Sequence, residues 1–184
     1  MKVPLRYQTT EFDCGAVALV NCLSFLFDRE EIPIELVKKI NTYTMDNSSG
    51  GTSRDAVRFI SSRLTEFADK KNFPVKCEYL FDEQVTFEKI KSWIQSGGCA
   101  FFRCWCVDVE HYVTITQIDD DFVYLFDPYY LERDHYDKNK HIEIIPDQPF
   151  MANRKVCVDY FKNKKGDLSL NSIKVRETLL MKRT

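Results

Sequence analysis

The chain has 184 residues, a net charge of −2, 44% apolar residues and 29% charged residues. That balance describes a soluble globular protein with enough chain for one domain, and gives no footing for a nucleic-acid partner. No apolar run approaches the roughly 20 residues of a membrane span, and MKVPLRYQTTEFD lacks the apolar stretch of a secretory signal.

Seven cysteines, an odd number, without such a signal predict free thiols in a reducing cytoplasm. The chain carries no G-x-x-x-x-G-K-[ST] phosphate loop and no lipidation signal at its LLMKRT end.

In QTTEFDCGAVALV, residues 8–20, an Asp-Cys-Gly step stands directly before an apolar run. Residues 13–27 predict a helix with Asp13 as N-cap. Ala16, Leu19, Val20, Leu23 and Leu26 recur at helical spacing, and Ala18, Cys22 and Phe25 fill the gaps, so the helix is buried nearly all round.

Residues 33–40 predict a second helix that opens on Pro33. DNSSGGTSRD, residues 46–55, reads as a loop. Thr52 or Ser53 then caps a third helix with Val57, Phe59, Ile60 and Leu64 as its apolar positions. Residues 73–80 hold a short strand, and 86–95 a fourth helix with Phe87, Ile90, Trp93 and Ile94 on one face. Ser96-Gly97-Gly98 ends that helix.

From Cys99 onward the chain turns β-prone. Strands are predicted over 100–107, 111–118, 122–126, 141–145, 155–160 and 174–181. The polar, aromatic YYLERDHYDKNKH lies between the third and fourth of these, and the basic tail 162–184 reads as a solvated end. Helices first and an antiparallel sheet second is an α+β order. It predicts one domain over 1–184, with a helical part of about 1–98 and a sheet part of about 99–184.

In HYVTITQIDDDFVYLFDP two β-type runs flank an acidic turn. If Ile118 faces Asp120 across it, His111 faces Asp127, and both share the parity of Val113, Ile115, Val123 and Leu125. Opposed residues sit roughly 4.5–5.5 Å apart at Cβ, close enough for an imidazole to reach a carboxylate. Read singly, His111 is a satisfied core residue and Asp127 a turn former before proline.

Cys14 supplies the third part. At a helix start, exposed N–H groups and the helix dipole favour a thiolate, the nucleophilic form. His111 would act as base and Asp127 would orient it. Gly15 would let a substrate carbonyl approach the backbone. The Cys14 N–H and the Gln8 side-chain amide would then donate to an oxyanion.

The competing reading makes Cys14 a small hydrophobe, as Cys22, Cys77, Cys99, Cys104, Cys106 and Cys157 are read to be. Cys99, Cys104 and Cys106 lack the C-x₂-C spacing of a zinc knuckle, so neither metal nor cofactor is predicted. His135 and His141 lie in polar surroundings and read as surface residues.

Gln-x₅-Cys-Gly at a helix start, Gly51-Thr52-Ser53 before a later helix, then His-Tyr-Val and Asp-Pro on successive strands resemble the bacteriocin-processing (double-glycine leader) peptidase family. The likeness runs from about Leu5 to Pro128. It implies a papain-like cysteine peptidase fold, Cys14 as nucleophile, His111 as general base, Asp127 as orienting acid and Gln8 as oxyanion glutamine. Without a transporter segment the chain would be a free-standing relative acting on a peptide or protein substrate, in transient association with an export system. Two other functions use the same frame: an acyltransferase or transglutaminase-like enzyme with the same thiol, and a peptide-binding module without chemistry.

Overall fold

The structure is a computed structural model that describes residues 1–45 and 51–184. Its helices are α1 (Cys14–Leu26), α2 (Ile34–Thr44), α3 (Arg54–Lys71), α4 (Phe87–Gln95) and the single turn α5 (Val158–Phe161). Its strands are β1 (Val75–Phe81), β2 (Gly98–Cys106), β3 (Val109–Ile118), β4 (Phe122–Phe126), β5 (Ile142–Gln148), β6 (Ala152–Cys157) and β7 (Glu177–Arg183). They form one antiparallel sheet in the order β1-β7-β2-β3-β4-β6-β5. This is the expected α+β architecture of helices on an antiparallel sheet.

Both faces of the sheet are covered. On one face, Leu19, Leu23, Leu36, Ile60 and Leu64 from α1, α2 and α3 pack with Phe101, Leu179 and Met181. On the other, Phe87, Ile90 and Trp93 of α4 pack with Phe102, Val113, Ile115, Val123 and Leu125. Each such side chain contributes about 1.5–3 kcal/mol on burial, which is why α1 is apolar nearly all round. Five of the seven free cysteines are buried in this packing or beside it, and Cys77 and Cys157 are half-buried.

Several local expectations are revised. Of the two residues expected to cap α3, Ser53 does so, accepting from the Ala56 N–H at 3.1 Å. Phe59 is exposed and stacks edge-on against Tyr43, because it lies on the side of α3 away from the sheet. Residues 46–50 of the predicted loop lie outside the described residues. β6 starts at Ala152 and gives way to α5 after Cys157.

The tail is not a solvated end. β7 lies between β1 and β2, with Glu177 to Met181 buried, because Thr178-Leu179-Leu180-Met181 fills both faces of the sheet there. Since β1 comes from the first half of the chain, the sheet is shared across the predicted division at residue 98.

The β3–β4 register also differs. Asp119 Oδ1 accepts from the N–H groups of Asp121 and Phe122 at 2.9 and 2.6 Å, which tightens the turn so that Ile118 pairs with Val123. That register alone would put His111 and Asp127 on opposite faces. A bulge between Ile115 and Gln117 takes up one residue, and Ile115 pairs with Leu125. The parity is restored, and His111 lies diagonal to Asp127 instead of opposite it.

Candidate active site

Cys14 is the first residue of α1 and 7% exposed. Asp13 stands at the N-cap position but makes no cap bond. Its carboxylate turns back and accepts from the N–H and hydroxyl groups of Thr9 and Thr10 at 2.9–3.2 Å. Four donors in a tight upstream loop outcompete the helix end. The first-turn N–H groups beside Cys14 are therefore left without a side-chain cap, and their partial positive charge faces the thiol region.

Gln8 is fixed at both ends of that loop. Its backbone N–H donates to the Pro128 carbonyl at 2.9 Å, and its side-chain Nε2 donates to the Thr10 carbonyl at 2.7 Å. Its buried Oε1 has no hydrogen-bond partner. An oxyanion role would use the second Nε2–H. Upstream, the fully buried Asn21 of α1 accepts from the Arg6 N–H at 2.8 Å and donates to the Arg6 carbonyl at 2.9 Å. That clamp ties the 5–8 segment to the helix that carries Cys14.

His111 Nε2 lies 2.7 Å from Asp127 Oδ1, and the two residues are 4% and 0% exposed. With Nε2 so engaged, Nδ1 is the ring nitrogen left to face Cys14, which lies close enough to the imidazole to help raise it. Burial by itself pulls the imidazole down. The Asp127 charge and hydrogen bond, followed by the Cys14 contacts, outweigh it and push His111 up to about 10. The imidazole is thus cationic at neutral pH. The structure brings Cys14, His111 and Asp127 together in that order.

Asp127 is held by residues that sequence reading missed. Asn153 of β6 accepts from the Asp127 N–H at 2.7 Å and donates to its carbonyl at 2.8 Å. Arg154 sets its Nε 3.7 Å from Asp127 Oδ2. The Tyr129 N–H donates to Oδ1 at 2.8 Å. The polar, aromatic segment after Asp127 folds back as well: Tyr136 is buried, with its hydroxyl 3.9 Å from the Cys106 thiol. The only sequence signal for this clamp was an Asn-Arg step beside β-prone residues, too common a pattern to single out.

Cys106 Sγ, His111 and Asp127 offer donor atoms within 4.8 Å of one another, the arrangement closest to a metal site among the described residues. Its chemistry does not suit a cation. Asp127 is already shared by His111 and the Arg154 guanidinium, and burial followed by the Asp127 charge pushes the Cys106 thiol up, away from its metal-binding form.

Cys14 opens onto a cleft of about 450 Å³ that Glu11, Phe12, Thr52, Val109, Glu110 and Tyr112 help to line. Thr52 packs so tightly on the helix start that a Cβ at Gly15 would lie 2.1 Å from its Oγ1. The small residue expected to admit a substrate carbonyl therefore admits Thr52. The buried Thr52 Oγ1 has no hydrogen-bond partner. Behind the cleft, Tyr112 donates to the buried Glu177 carboxylate at 2.8 Å, and Tyr79 donates to it at 2.6 Å.

No protein-family description and no curated protein matches the chain. Solved structures do. All of the chain aligns with 93% of a double glycine motif protease from an AMS/PCAT transporter, solved in complex with the leader peptide, at 16% identity and a TM-score of 0.50. It also aligns, over 98% of each chain, with the peptidase domain of Streptococcus ComA, a bi-functional ABC transporter involved in a quorum sensing pathway, at 8% identity and a TM-score of 0.49. The first likeness is one of fold: the resemblance carried by the short motifs extends to the architecture of a double-glycine peptidase domain. No helix among the described residues is long and apolar enough to cross a membrane.

Proposed function

We propose that the chain is a cysteine peptidase that cleaves a peptide or leader peptide. One observation carries the reading: Cys14, at a helix start without a side-chain cap, lies beside a buried imidazole whose Nε2 is held by Asp127. The imidazolium favours the thiolate by charge. Cys14 Sγ attacks the scissile carbonyl, forming a C–S bond, and the oxyanion takes hydrogen bonds from the Cys14 N–H and the Gln8 amide. His111 gives its proton to the leaving amine as the C–N bond breaks. Water, deprotonated by the now neutral imidazole, then hydrolyses the acyl-enzyme. No metal or cofactor takes part in these steps.

The cleft beside Cys14 gives an extended peptide a place to lie. The leader peptide bound to the double glycine motif protease suggests the substrate class, a leader joined to its cargo through small residues.

The test is labelling with iodoacetamide and a peptide aldehyde, followed by turnover of leader-like peptides ending in small residues. Selective modification of Cys14 that is lost in His111→Ala, with cleavage by the wild type, is the expected result. Labelling spread evenly over the seven cysteines, with no cleavage, would overturn the reading.

A further inference from the structure

Asp127 bears one negative charge and faces two cations. Its Oδ1 meets His111 Nε2 at 2.7 Å and the Tyr129 N–H at 2.8 Å. Its Oδ2 meets the Arg154 Nε at 3.7 Å and the Cys106 thiol at 3.9 Å. The two oxygens are thus divided between two sides, which fixes the rotation of the carboxylate.

Arg154 is 1% exposed. Asp127 is its carboxylate partner, and among the described residues it has no other. Its Nη1 donates to the Asn153 carbonyl and its Nη2 to the Tyr129 carbonyl, each at 3.0 Å, while its Nε–H has no hydrogen-bond acceptor. Register explains the placement: Arg154 pairs with Leu125, two residues before Asp127, and so shares its face of the sheet.

Packing does not account for this residue. A buried charge costs several kcal/mol in lost hydration, and an apolar side chain of similar volume is often as stable or more so. What a buried arginine adds is a fixed charge beside the carboxylate and a planar fork that pins the turn following it.

We propose that Arg154 is a positioning residue that acts on His111 through Asp127. Its charge beside Oδ2 and its Nη2 bond to the Tyr129 carbonyl hold the carboxylate and the turn after it in the arrangement that aims Oδ1 at the imidazole, and it shares the carboxylate's charge, so that His111 is oriented without being bound too firmly as a cation to release its proton. The catalytic consequence rests on the peptidase reading of the same site; the effect on His111 does not. The other titratable groups around His111 are Cys14 from α1, Cys104 and Cys106 from β2, and Tyr129 and Tyr136 from the segment after β4. None of these supplies a second fixed positive charge.

The test uses the full chain with ¹⁵N-labelled histidine at pH 7, together with peptide turnover. Arg154→Met removes charge and fork, and Arg154→Lys keeps the charge but not the fork. In Arg154→Met the His111 proton bonded to Asp127 moves downfield, and kcat falls about ten- to a hundredfold with KM within about twofold. In Arg154→Lys the proton signal stays near its wild-type position while kcat still falls.

A folded Arg154→Met variant with unchanged His111 signal and unchanged kcat overturns the proposal. So does loss of thermal stability and kcat together with no change in that signal. If Arg154→Met does not fold, Arg154→Lys decides: lower kcat at constant KM supports the role, and wild-type kcat refutes it. A wild type that cleaves no peptide removes the peptidase reading. The His111 signal in the two variants then still decides whether Arg154 acts through Asp127.

Discussion

His111 and Asp127 meet on a diagonal of the β3–β4 hairpin, with Nε2 2.7 Å from Oδ1, because a bulge next to Thr116 offsets the register set by the turn. Thr116 is anchored there by donating to the Met151 carbonyl at 2.8 Å. The contact therefore depends on a local irregularity in the ladder and not on simple rung pairing.

The pH dependence of turnover follows from that contact. His111 stays cationic up to about 10, and the proposed mechanism needs its proton for the leaving amine. Turnover should fall on the alkaline side as that proton is lost. Asp127→Asn removes the raising charge, so the alkaline limb should move to lower pH by about 1–3 units. Stability carries the same sign. A group raised in the folded state stabilises it fully below its ordinary value of 6.5, and this is lost as pH rises through about 10. The stability gap between wild type and Asp127→Asn, read from urea midpoints, should narrow over that window.

Gly15→Ala should destabilise the chain by about 1–3 kcal/mol, the usual cost of overpacking. Rotating Thr52 does not relieve the clash, since the added Cβ would lie 2.7 Å from Thr52 Cβ as well as 2.1 Å from Oγ1. Urea unfolding measures this directly. A variant as stable as wild type would show that the loop yields.

Thr52→Val should leave stability unchanged or raise it. The hydroxyl it removes is buried without a partner, so a methyl in its place loses no hydrogen bond. A drop in Tm of several degrees would contradict this.

Gln8→Ala should lower peptide turnover by about 10²–10³ while iodoacetamide labelling of Cys14 stays within about twofold. Alkylation needs the thiolate but no oxyanion donor. Equal loss of both would sink the oxyanion assignment.

Asn21→Ala and Asn153→Ala each strip both partners from one residue's backbone N–H and C=O, at Arg6 and Asp127. Each should cost about 1–3 kcal/mol. Only Asn153→Ala should also change the His111 ring-nitrogen shifts, because only it holds Asp127.

Much of the fold was legible in order and type of element. Helical spacing of apolar residues located α1, α3 and α4, and β-rich runs located β2, β3 and β4. A strand was expected at 174–181, but its place in the interior was misread: Lys174, Lys182 and Arg183 flank Thr178-Leu179-Leu180-Met181, and local charge masks a central strand whose partners, β1 and β2, lie roughly a hundred residues earlier in the chain. Asp13 was misread for a similar reason: its residue type suits an N-cap, but Thr9 and Thr10 offer it more donors.

The sequence by itself determined which chemistry is available: a cysteine at a helix start, a histidine and an aspartate flanking one hairpin, and a glutamine six residues before the cysteine. These are properties of residue type and short-range spacing, which local propensity and periodicity report. Only the tertiary structure decided how those groups meet and what holds them. A bulge restored the face that the turn had reversed, Thr52 filled the space that Gly15 leaves, and Asn153 with Arg154 came from a later strand to fix Asp127. Such contacts depend on the register of distant strands, and a one-residue change in register reverses every side chain along a strand.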